Sequence, residues 1–295
     1  MNNCNKCVIF IRKGSCSMGR KLFCEINPVC YKISLRKEII RRSFLNLLSS
    51  DKIAKCRDEK KEFPNIVKSH TSVLVRRLQG VDIRLQENKV TNIELACKRI
   101  NGIIIKPNET FSFWTLIGNH TKKKGYKKGL VIMNRGKFGE DYGGGLCQMA
   151  NMIHYLVLNS PLEVTEIHHH SDALFPDERR NVPFGTGTSV FYNRLDYRFK
   201  NTTDQNVQIL VWIEDGLLCG ELRSERPYSF RYKLLEEDHH YKKEKDGKYY
   251  RDSKVYRITI DRKSKKEVKK ELILDNHSLV MYDYKYIPKE QIRNS

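Results

Sequence analysis

Three consecutive glycines, Gly143-Gly144-Gly145, stand directly ahead of Leu146-Cys147-Gln148. No other stretch constrains the chain more. Glycine alone takes φ > 0 freely and lets another group approach the backbone closely. Immediately after it, Met149, Ala150, Ile153, Leu156 and Val157 recur at helical spacing. The pattern predicts a tight turn feeding a central helix, with Cys147 at the helix N-terminus. Unpaired N–H groups and the positive end of the helix dipole favour a thiolate there.

Downstream of that helix, Pro161 stops the pattern, and Leu162, Val164 and Ile167 predict a strand ending in His168-His169-His170-Ser171. Alternation places His168 and His170 on one face and His169 on the other. A thiol at a helix start with a later histidine is the pairing a nucleophilic cysteine needs, with Cys147 attacking and His168 or His170 as base. Gln148 then serves an oxyanion, and Asp172, Asp177 or Asp196 orients the base. A second chemistry uses Gly143, Gly144, Gly145, Gln148 and Ser171 to hold an anionic group at the helix N-terminus. In a third, Cys147, His168 and His170 hold zinc, with no fourth ligand evident. The first two carry equal weight and zinc less. No cofactor is otherwise expected, and the residues alone leave open whether the protein is an enzyme.

The surrounding patterns predict an α+β fold. Its central helix starts at the Gly-rich turn and packs on a mostly antiparallel sheet, flanked by a basic helical N-terminal region and a C-terminal β-hairpin extension. Residues 1–63 form the N-terminal region, in which Pro28 opens a helix with Leu35, Ile39, Ile40, Phe44, Leu47 and Leu48 as its stripe. Residues 1–17 differ in character from the rest of the chain and read as a start-site artefact ahead of Met18, so the lone Cys4-x-x-Cys7 carries little meaning. Residues 51–63 form a charged linker. The core domain spans 64–226, with strands at 72–76, 103–105, 130–133, 189–192, 195–200, 207–213 and 217–222 and a helix over 88–100. Residues 227–295 are charged and tyrosine-rich, with a hairpin turn at Asp246-Gly247.

Fifty-five Lys and Arg against 35 Asp and Glu give a formal charge of +20, spread along the chain. Such a charge attracts polyanions. No basic recognition helix or nucleic-acid motif accompanies it, so specific nucleic-acid binding is not expected; an anionic envelope component or peripheral contact with a membrane fits better. Nine cysteines, six within the first 56 residues, do not make the even framework of a disulfide scaffold. With no signal-like or membrane-spanning apolar run, the expectation is a cytoplasmic protein, peripheral to the inner membrane face. The oligomeric state is not legible.

Glu109-Thr110-Phe111-Ser112-Phe113-Trp114, Gly118-Asn119, Gly125-Tyr126, Gly143 to Gln148, His168 to Ser171, Val182 to Asn193 and Glu236-Glu237-Asp238-His239 stand in an order that resembles the VanW family. The likeness runs from about residue 19 to the C-terminus. It implies an accessory protein associated with glycopeptide (vancomycin) resistance that binds or acts on a peptidoglycan precursor. It also implies a Gly-x-Asp where this chain has Gly185-Thr186-Gly187.

Overall fold

The computed structural model describes residues 23–76, 81–132, 138–169, 172–174, 176 and 182–293. The chain divides into two units, residues 1–46 and 47–295. Of the first, α1 (Phe23–Ile26) and most of α2 (Pro28–Leu48) are described. The Asn27 side chain accepts from Cys30 N at 2.8 Å, capping the helix that Pro28 opens. No helix among the described residues is long and apolar enough to cross a membrane.

The second unit is mixed α+β with mostly antiparallel sheets, the class the sequence predicts. One sheet runs β2 (Asn65–Val73), β11 (Leu217–Ser224), β10 (Val207–Glu214) and β3 (Ile103–Ile105), all antiparallel. A second runs β1 (Lys52–Ile53), β4 (Glu109–Ser112), β9 (Arg198–Lys200) and β7 (Glu163–Glu166). β1 pairs parallel with β4, and Ala54 and Phe63 are buried. Residues 51–63 therefore enter the core instead of forming a linker: their few apolar side chains are spaced so that the charges between them stay in water. Residues 189–192, expected as a strand, make a single isolated bridge, Phe191 to Leu195, around a turn at Asn193, where φ is 49°.

Helix α3 (Ile83–Ile100) starts at Asp82, whose carboxylate accepts from Arg84 N. Helix α5 (Leu146–Leu158) lies over β2 and β11 and buries Met149, Ala150, Met152, Ile153, Leu156 and Val157. Gly220 on β11 makes that approach feasible, since a Cβ there would lie 2.9 Å from Met152 Cγ. The short α4 (Phe113–Ile117) adds Phe113 and Trp114 to the same core.

The glycine turn joins the hairpin of β5 (Lys128–Ile132) and β6 (Phe138–Tyr142) to α5. Asn92, fully buried on α3, fixes it: its amide donates to Lys127 O and Gly144 O and accepts from Lys127 N, at 2.8–3.0 Å.

The C-terminal region is larger than a hairpin. β12 (Phe230–Lys243), β13 (Tyr249–Asp261) and β14 (Glu267–Val280) form an antiparallel meander. β8 (Asp172–Ala173) and β15 (Ile292–Arg293) extend it in parallel at its two edges. Of the third long strand the sequence pattern marks only 272–274, because its first four residues, Glu267 to Lys270, are all exposed and three are charged.

Gly144 has no room for a side chain: a Cβ would lie 2.2 Å from the Gly129 carbonyl. Gly144→Ala is expected to cost about 3 kcal/mol in urea unfolding monitored by far-UV circular dichroism. An equal loss is expected from Gly129→Ala, whose Cβ would meet Gly144 O at 2.6 Å.

Candidate functional site

The structure places Cys147 in the first turn of α5, behind the left-handed Gly145 at φ 95°. The thiol does not point at an imidazole. It is partly buried against the core, and its Sγ–H donates to Val190 O at 3.8 Å. Burial pushes its pKa up, against a weaker lowering by backbone hydrogen bonds. The direction is opposite to the depressed thiolate pKa expected of a helix N-terminus: removal from water penalises the charged form.

The glycines are equally occupied. A Cβ on Gly143 would strike the His120 ring at 2.6 Å, and one on Gly145 would strike Lys89 Cγ at 2.0 Å. The backbone approach that glycine permits is used by the chain itself. Gln148 donates its amide to Ser72 Oγ and Val73 O, at 2.8 and 2.9 Å, tying α5 to the end of β2. Lys89 is itself buried; its ammonium rests on Gln86 Oε1 at 2.9 Å, and desolvation pulls its pKa down to about 8.

One face of α5 carries Cys147, Asn151 and His154 at i, i+4 and i+7 spacing. Asn151 Oδ1 accepts from Thr188 N at 2.7 Å, two residues from the Val190 carbonyl that receives the thiol. His154 is buried, with Nδ1 3.1 Å from the Tyr197 hydroxyl, and burial drives its pKa down to about 3.

The segment 188–190 also meets the histidine run. Ser189 N donates to His168 O at 2.7 Å, and His169 bridges Thr188. His168 Nε2 lies 3.0 Å from Oε1 of Glu166, the last residue of β7, two residues back. Among the described residues Glu166, not Asp172 or Asp196, is the carboxylate on this imidazole. Asp196 is committed elsewhere: it accepts from Ser112 Oγ, Trp114 N, Tyr197 N and Arg198 Nε, at 2.6–3.0 Å. Asp172 sits in β8, and Asp177, His170 and Ser171 lie outside the described residues.

Sequence reasoning passed over His169. Its Nδ1 lies 3.0 Å from Gly185 O and 3.2 Å from Gly187 O, so Nδ1 carries the proton and Nε2 keeps its lone pair. Desolvation holds this ring's pKa below the usual imidazole value. The two glycines at 185 and 187, each with a backbone carbonyl open to a ring nitrogen, were the available signal. His120 was passed over as well. It sits among Trp114, Tyr126 and Tyr192, with ring centroids 5.3–6.1 Å away, and its Nδ1 is buried without a partner. Among the described residues no three His, Cys, Asp or Glu side chains converge as metal ligands.

Exposed Cys56 is expected to react with limiting iodoacetamide at pH 7 before Cys147 does, read by peptide mass spectrometry; preferential labelling of Cys147 contradicts the raised pKa. For His154 the unfolded chain takes up a proton below pH 6.5 while the folded protein does not until about pH 3. Stability therefore falls as pH drops through that window, by about 2 kcal/mol at pH 5 from this group alone. His154→Gln is expected to flatten that acid limb in urea titrations.

Residues 88–223 match the family described as VanW like protein. The chain is 33% identical over 200 residues to the vancomycin B-type resistance protein VanW of Enterococcus faecalis, covering 68% of this chain and 72% of that protein. It is also 33% identical over 121 residues to the uncharacterized protein YoaR of Bacillus subtilis, covering 40% of this chain and 37% of that one. No solved structure matches.

Proposed function

The chain belongs to the VanW family, and from that membership we propose that it is an accessory protein of vancomycin resistance that binds a peptidoglycan precursor without processing it covalently. The carrying observation is the thiol of Cys147, which donates to the Val190 carbonyl with its pKa raised. A nucleophile needs the opposite: a thiolate and a base within hydrogen-bond reach. The supporting observations agree. Gln148, the expected oxyanion donor, is spent on Ser72 and Val73, and the glycine backbones are covered by Lys89 and His120. In this reading Cys147 is a small packing residue that keeps the first turn of α5 against residues 188–190. Peptidoglycan precursors are anionic, and a formal charge of +20 raises their local concentration at the surface. The same charge suits work on the cytoplasmic side, against the anionic inner face of the membrane.

One observation favours a cysteine-dependent amide-processing enzyme. His169 is held as the tautomer a general base requires, and its bridge to Thr188 sets it two residues from the carbonyl that receives the Cys147 thiol. The two readings separate in cells. In a resistant strain lacking this gene, complementation with Cys147→Ala is expected to restore the vancomycin inhibitory concentration to that given by the unsubstituted gene. A fall to the level of the deletion strain, with the variant present at normal abundance, overturns the binding reading in favour of the enzyme.

A further inference from the structure

The C-terminal sheet carries a polar face with no part in the surroundings of Cys147. Arg251 and Ser253 are i and i+2 on β13 and so share a face. The register sets Tyr241 and Ser278 beside Arg251, and Asn276 beside Ser253. All five are buried, Arg251 to 4% and Ser253 to 2% exposure. The loop after Val182 lies against this face. Phe184 stacks on His239 at 5.0 Å, the Arg251 guanidinium carbon lies 3.8 Å from the Phe184 ring centre, and a Cβ on Gly185 would strike Asn276 Oδ1 at 2.4 Å.

Four buried side-chain N or O atoms among the described residues have no hydrogen-bond partner, and three of them are here: Arg251 Nε, Ser253 Oγ and His239 Nε2. Buried polar groups are nearly always paired, so two orphans against the Phe184 ring and a third two residues along β13 are a concentration that points to a missing partner. Arg251 makes the case strongest. Among the described residues no carboxylate lies within 4 Å of its guanidinium, and a buried charge without a counter-charge costs several kcal/mol. Glu236, on the neighbouring strand β12, accepts instead from Phe184 N through both oxygens at 3.3 Å. Asn276 and Ser278 are satisfied by Arg251 O and by each other. The Tyr241 hydroxyl is satisfied by Tyr282, whose own hydroxyl also bonds the Arg251 guanidinium. What is left over is the Nε of one guanidinium, one hydroxyl and one imidazole nitrogen.

We propose that Arg251, Ser253 and His239 form a receptor for a single carboxylate group, enclosed by the loop that carries Phe184 and Gly185. The unpaired Nε–H of a guanidinium gives a carboxylate oxygen a charge-assisted hydrogen bond. Ser253 and His239 add one donor each. One fixed cation balances a monoanion and leaves a phosphate dianion under-neutralised. A free small acid and the C-terminus of a peptide share this chemistry. Where the source is a peptide terminus, the proposal rests on the precursor-binding reading and names the part of the precursor that is held.

The test uses the full chain labelled with 15N at arginine Nε, titrated with acetate, with N-acetyl-alanyl-alanine, with the C-terminal amide of that dipeptide, and with chloride at matched ionic strength. Acetate and the free dipeptide are expected to shift the Arg251 Nε–H resonance saturably, with a dissociation constant on the order of 1 mM, and the amide and chloride are not. Ser253→Ala removes an unsatisfied hydroxyl, so the fold is expected to hold while acetate affinity drops about tenfold. Arg251→Lys, which keeps the charge and loses the Nε–H at that position, is expected to weaken binding at least as much. No saturable shift, an equal response to chloride, or unchanged affinity in Ser253→Ala overturns the proposal. Binding of acetate without the dipeptide upholds the carboxylate receptor and removes the peptide as its source. Because this readout does not involve Cys147, failure here and failure of the resistance complementation are distinguishable.

Discussion

Three hydrogen bonds from one buried amide organise the centre of this protein. Asn92 binds Lys127 N, Lys127 O and Gly144 O, and so joins α3, the entry to the β5–β6 hairpin and the turn that leaves it. With those points fixed, Gly129 and Gly144 are pressed backbone to backbone, and α5 can start in one direction only. Lys89, one turn before Asn92 on the same helix, lays its aliphatic stem over Gly145. The three glycines are thus demanded by packing from three sides: His120, Gly129 and Lys89. Their freedom in φ matters at Gly143 and Gly145, which are left-handed, while Gly144 is glycine because nothing larger fits.

Much of the fold was legible because its strongest elements are strongly patterned. The central helix, the strands at 207–214 and 217–224 and the helix opened by Pro28 follow from apolar spacing and caps. Residues 52–63 were not legible, since a two-residue parallel strand leaves no period to read. Nor was the full C-terminal sheet, whose outer strand begins in a run of exposed residues and whose edges come from residues 172–173 and 292–293, far apart in sequence.

The site was legible in place and not in state. The position of Cys147 at a helix start follows from the glycines, but the sign of its pKa shift does not, because desolvation by burial is a tertiary effect. Glu166 could have been read as the partner of His168 from their spacing alone. The tautomer of His169 could not be read with the same directness: its partners are backbone carbonyls, and only the glycines that carry them leave a trace in the sequence. The orphaned atoms on β12 and β13 leave none, since a missing partner is visible only once every neighbour has been placed.

The pairing of β2 with β11 has a consequence for how the chain is made. Residues 65–73 wait for residues 217–224 before they gain their sheet neighbour, and β3 waits for β10 in the same way. α5 leaves the ribosome between these partners, with Met149, Met152, Ile153 and Leu156 facing a surface that does not yet exist. At ~5–20 residues per second the interval from β2 to β11 lasts on the order of 10 s. Long-range antiparallel closure of this kind is intrinsically slow. For the last part of that interval, from residue 158 to residue 217, the most apolar helix of the protein lacks half of the sheet it packs on, the kind of exposed apolar surface that makes a partly folded chain prone to aggregate.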